Sequence, residues 1–165
     1  MHPHPEMTDL REKLRARRAA QLQSSPEKDG WILAVATLCA DVQNWCRPLQ
    51  DEGLLEVKSS DITVHEPGIG EYTAKQLQFC YPASGLYASL EPRGLRYGET
   101  PAGAGSRVSG LHGRVDLASY IGESIPIFRD AHGTWRMFGL LPNRTGTQHP
   151  FNEETFAAAL LWLLP

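Results

Sequence analysis

The chain has 165 residues, 41% of them hydrophobic before its 15 glycines are counted, which suits one domain or a domain with an appendage. With glycine included, the apolar share falls in the globular range of roughly 45–50%, so wholesale disorder is excluded, and a chain this long can bury a core without disulfide or metal. A net charge of −3 does not mark a nucleic-acid binder, and the longest apolar run, Trp31–Ala40, falls short of the roughly 20 residues of a membrane span.

The charge is unevenly placed: residues 1–23 carry net +2 and residues 24–165 net −5. Thr8 to Gln23 is the first predicted helix, with Thr8 as N-cap and only Leu10, Leu14 and Leu22 as a narrow apolar stripe. Arg11, Lys13, Arg15, Arg17 and Arg18 crowd onto the same segment. They are candidate nucleic-acid contacts, because a cationic helix can track phosphates; the competing reading is a solvated helix face. The predicted organisation is a basic helical arm over residues 1–24 and a single α+β domain over residues 25–165.

Ser25 suits an N-cap and Pro26 a first helical position, so a second helix is predicted to start there. Trp31, Val35, Leu38, Val42 and Trp45 advance by alternating steps of four and three, an apolar seam widened by Ile32, Ala36, Cys39 and Cys46. Pro48 predicts a stop or kink near Cys46, with Gly53 as a closing cap. Cys39 and Cys46 lie about 10.5 Å apart along such a helix, too far to bridge, and Cys80 stands alone in a predicted strand. An odd cysteine count and an N-terminus without a signal-peptide pattern lead to a cytoplasmic expectation.

From Leu54 onward the period changes toward two. Strands are predicted at Ile62–His65, Tyr72–Phe79, Leu86–Leu90, Arg114–Leu117, Ile125–Phe128 and Trp135–Phe138, separated by turns rich in glycine and proline. Asp130-Ala131-His132-Gly133 is the clearest hairpin turn, and Pro126 places its strand at an edge or a bulge. The final helix starts at Asn152, with Glu153 and Glu154 in its first turn and Phe151 and Phe156 at staple spacing. It is apolar nearly all round. The wheel sets Phe156, Ala159, Leu160, Leu163 and Leu164 toward the sheet and projects Leu161 and Trp162 elsewhere, as candidate interface anchors. The fold class is therefore α+β: two N-terminal helices, an antiparallel sheet of five or six strands, and a C-terminal helix.

No catalytic constellation emerges. Glu56-Val57-Lys58 matches half of a metal-dependent nuclease core, but its upstream acid, Asp41, lies in the strongest predicted helix rather than on a strand. His112, Arg114 and Asp116 alternate on a strand and, with Arg107 from the glycine-rich Gly103–Arg107 loop, form a candidate anion or ligand contact. The competing reading is a local ion pair and a flexible loop. None of the six histidines pairs with cysteine at zinc-finger spacing, and neither a metal nor a cofactor is expected. The expected function is a non-enzymatic interaction or accessory protein, working through a second copy of itself or another protein in an assembly. The alternatives are a nucleic-acid-binding module using the basic arm, or a small enzyme or ligand-binding protein with its site near the glycine-rich loop.

Overall fold

The computed structural model describes residues 4–22, 25–95, 111–139, 141 and 144–164. Among the described residues three helices and a sheet follow one another in the expected α+β order, and the sheet has seven strands rather than five or six. Helix α1 (Pro5–Leu22) begins before Thr8, because the amides of Met7 and Thr8 both donate to the His4 carbonyl, at 3.0 and 3.2 Å.

Helix α2 (Pro26–Asp51) starts as its sequence dictates, with the Ser25 hydroxyl accepting from the Lys28 amide at 3.4 Å and proline in the first turn. It does not stop near Cys46. Pro48 forfeits one helical N–H, but it stands in the last turn, where a single lost bond does not prevent closure. The end is a Schellman arrangement: with Gly53 at φ +72°, its amide donates to the Gln50 carbonyl and that of Leu54 to the Leu49 carbonyl, both at 2.9 Å. Gly53 thus takes its expected capping role.

The strands are β1 (Glu56–Glu66), β2 (Gly70–Tyr81), β3 (Leu86–Gly94), β4 (Leu111–Ser119), β5 (Ser124–Asp130), β6 (Trp135–Phe138) and β7 (Gln148–Pro150). They pair antiparallel in strict chain order, a meander. The additional strand, β7, has only three residues, too few to show alternation in sequence. Pro126 sits one residue beyond the last β5–β6 pair, Ile127–Met137, so its missing N–H interrupts no bond on that side. In β1 and β2 the buried positions slip by one: Tyr72 and Ala74 are buried, then Leu77 and Phe79, while the pairing register stays continuous.

Helix α3 (Glu153–Leu163) opens with a reciprocal cap, Asn152 Oδ1 accepting from the Thr155 amide at 3.0 Å and Thr155 Oγ1 from the Asn152 amide at 2.9 Å. Helices α2 and α3 cover one face of the sheet. Trp31, Val35, Leu38, Cys39, Val42 and Cys46 of α2 are buried, with Phe156, Ala159, Leu160 and Leu163 of α3. The two helices meet where Trp45 packs on Phe151 and Phe156, with ring centroids 5.6 and 5.8 Å away, and Phe156 packs on Phe79 of β2 at 5.4 Å. Trp45 is only half-buried there. The Phe151–Phe156 staple is formed, at 6.2 Å. At the other end of α2, Trp31 lies against Trp135 and fills the space above Gly113, where φ is +90° and a Cβ would collide with the indole ring.

Candidate functional site

Between the C-terminal half of α2 and the outer side of α3 lies an apolar groove of about 470 Å³. Trp45, Leu49, Leu55, Tyr81, Phe156 and Leu161 carry most of its wall, with Glu153 at one side. The origin is local. The Schellman end of α2 leaves Leu49 exposed beside Leu54, and the apolar circumference of α3 is wider than the sheet can cover. Leu161 is 76% exposed and Trp162 42%, so both project from the body as the wheel assigns, though Trp162 does not line the groove. Leu49, Leu54 and Tyr81 were not singled out in sequence; the pairing of apolar residues about Gly53 was the signal available for the first two.

Every α1 residue whose exposure is described lies in solvent, including Met7, Leu10 and Leu14. Its five cations do not form one stripe. Arg11, Arg15 and Arg18 line, together with Met7, Leu10 and Leu14, a shallow recess of about 320 Å³. Lys13 and Arg17 do not line that recess, and Lys13 faces Asp9 at 4.0 Å.

The face of β3–β5 turned away from the helices holds an ion network. Asp116 is buried, and it accepts from Arg93 Nε at 2.9 Å and from Arg114 Nε and Nη2 at 2.6 and 3.1 Å. Glu91 adds a second carboxylate to Arg93 at 3.4 Å, and Arg114 stacks over Phe128 at 5.7 Å. An anion binding here would have to displace Asp116 from two guanidinium groups. The expected alternation of His112 with Arg114 is interrupted, because the β4–β5 register shifts between Leu111 and Arg114, at Gly113. The side chain of His112, and Arg107 with the whole glycine-rich loop, lie outside the described residues.

A second polar chain, not anticipated in sequence, runs through the body. Trp31 Nε1 donates to Tyr72 Oη at 3.1 Å, and Tyr72 donates in turn to Glu66 Oε2 at 2.9 Å. The Leu95 amide donates to the same carboxylate at 3.0 Å. Burial and the bond to Glu66 raise the Tyr72 pKa, which holds the phenol as a donor. The chain links residues 41 positions apart, a spatial relation that local pattern does not encode.

The remaining candidates stay apart or inert. Glu56 and Lys58 form a pair at 3.6 Å on the exposed edge strand, and Asp41 is exposed on α2. Burial pushes the Cys39 thiol up to about 12 and, together with the neighbouring charge of Glu153, the Cys46 thiol up to about 11, so neither forms a thiolate near neutrality. Among the described residues no group of His, Cys, Asp and Glu is arranged to hold a metal ion, and no helix is long and apolar enough to cross a membrane. Compared with protein families, curated proteins and solved structures, the chain matches none of them.

Proposed function

We propose that this protein is a non-enzymatic interaction or accessory protein that acts through oligomerisation or within a larger assembly. Its docking surface is the groove between α2 and α3. One observation carries the reading: the groove wall is mostly apolar, with exposed Leu49, Tyr81 and Leu161 in it and exposed Leu54 adjoining Leu55. Scattered exposed leucines are ordinary, but contiguous apolar surface around a concavity is the signature of a binding site. The other polar sites support this by default. The guanidinium groups of Arg93 and Arg114 are engaged by Asp116, and the thiols of Cys39 and Cys46 are held protonated.

The nucleic-acid alternative for α1 rests on Arg11, Arg15 and Arg18 sharing one side, but three leucine- and methionine-sized side chains interleave with them. Three phosphate contacts would give a log–log salt slope of about −2.7. Leu161→Asp with Trp162→Asp tests the lead reading. Both positions are exposed, so the variant is expected to keep its circular dichroism spectrum while losing self-association or partner capture by light scattering. A folded variant whose mass and partner binding match wild type contradicts the groove as a docking surface.

A further inference from the structure

We propose, building on the groove reading above, that the occupant of the groove is helix α1 of a second copy of this chain, exchanged reciprocally in a two-fold dimer. The chain carries two unpartnered apolar surfaces of complementary form. One is concave, the groove; the other is a convex stripe on α1. Met7, Leu10 and Leu14 stand at i, i+3 and i+7, the anchor spacing by which an amphipathic helix lies in a groove.

The charges agree with that pairing. Arg11, Arg15 and Arg18 border the α1 stripe. Glu153 lines the groove, and Asp51 and Glu52, both exposed, lie in the chain between its wall residues Leu49 and Leu55. Of the nearby cations, Arg144 is paired with Glu154 at 2.7 Å, while Arg47 donates to the neutral Asn44 Oδ1 at 3.0 Å and keeps its charge, one cation against the three carboxylates. The same polarity holds at large scale, with net +2 over residues 1–23 and −5 over the remainder. Opposite charges around an apolar contact steer association and fix its register.

Among the described residues none of α1 lines the chain's own groove, and Met7, Leu10 and Leu14 are exposed, so the pairing is assigned to a second copy. In a two-fold pair with antiparallel α2 helices, the Pro26 end of one lies beside the Asp51 end of the other, where the groove opens. Each α1 then enters its partner's groove. Reciprocity doubles the contact, which matters because a stable association buries roughly 1,200–2,000 Å² in total.

The test uses two full-length variants, alone and mixed in equal amounts, with mass read by light scattering and folding by circular dichroism. The first, Leu10→Asp with Leu14→Asp, lacks the α1 stripe and keeps the groove. The second, Leu49→Glu with Leu161→Glu, lacks the groove and keeps α1. Leu161→Glu alone, at a position 76% exposed, replaces it should the double variant unfold. Wild type is expected at twice the chain mass of 18.3 kDa and each variant alone at one chain mass. Their mixture is expected to recover a two-chain species only in part and at higher concentration than wild type needs, because one intact α1 meets one intact groove while the reciprocal contact is lost. A first variant that stays dimeric while the second is monomeric overturns α1 as the occupant and leaves the groove reading standing. A second variant that stays dimeric overturns both. Wild type at one chain mass overturns the exchange alone, as does a mixture that shows no two-chain species at any concentration at which wild type is wholly dimeric.

Discussion

Helices α1 and α2 adjoin in sequence and both carry an apolar seam, yet they meet opposite fates. On α2 the seam holds Trp31, Val35, Leu38 and Val42, broadened by two cysteines, and all of these are buried. On α1 the seam has Met7, Leu10 and Leu14, all about half exposed or more, surrounded by charge. The difference lies in width and side-chain volume. A face that spans more than a third of a helix repays the entropy of docking on a sheet, whereas a stripe three residues long does not do so within one chain. An apolar seam therefore announces a contact without saying with what: for α2 it is the chain's own sheet, and for α1, on the proposal above, it is the groove of a second copy.

The largest consequence falls on α2. Trp31→Ala should lower stability by about 3–5 kcal/mol in denaturant titration, since it empties a fully enclosed site and strips Tyr72 of its donor. Trp31→Phe keeps most of the ring and should cost about 0.5–1.5 kcal/mol for the lost bond plus a packing remainder. Gly113→Ala approaches the same contact from the sheet, and should destabilise by about 1–3 kcal/mol through positive φ and collision with the indole. A wild-type midpoint for Trp31→Ala would show that α2 is not held as described.

How much of this was legible in the sequence follows the range of the forces involved. The α2 seam, the Gly53 cap, the Asn152 cap and the Phe151–Phe156 staple are set by neighbours within a few residues, and each is formed. The Asp130 hairpin is of the same kind, with Asp130 Oδ1 accepting from the amides of His132 and Thr134, both at 2.9 Å. Pro48 misled because the rule against helical proline weakens in a last turn that has a good cap. The slip of buried positions in β1 and β2 defeats a strict two-residue period, because the alternation changes phase while pairing continues. The groove was half legible: Leu161 could be placed by a helical wheel, but Leu49, Leu55 and Tyr81 come together only through the packing of α2, α3 and β2. The Trp31–Tyr72–Glu66 chain had no sequence signal at all.

The smallest effect belongs to α1. Leu10→Asp with Leu14→Asp should leave the melting temperature of dilute protein within a degree or two of wild type, since surface changes of this kind move stability by about 0.5 kcal/mol or less. A loss comparable to Trp31→Ala would place the α1 stripe in the body of its own chain. In that event the contrast between the helices would vanish.

Hydrogen exchange followed as a function of protein concentration addresses both helices at once. Amides of α2 should show protection near the global unfolding free energy at every concentration, because their burial is internal. Amides of α1 should exchange almost freely in dilute protein and gain protection as concentration rises, because they are ordered by a second copy through mass action. Strong α1 protection that does not change with concentration would contradict the account, since it would mean that α1 finds its contact within its own chain.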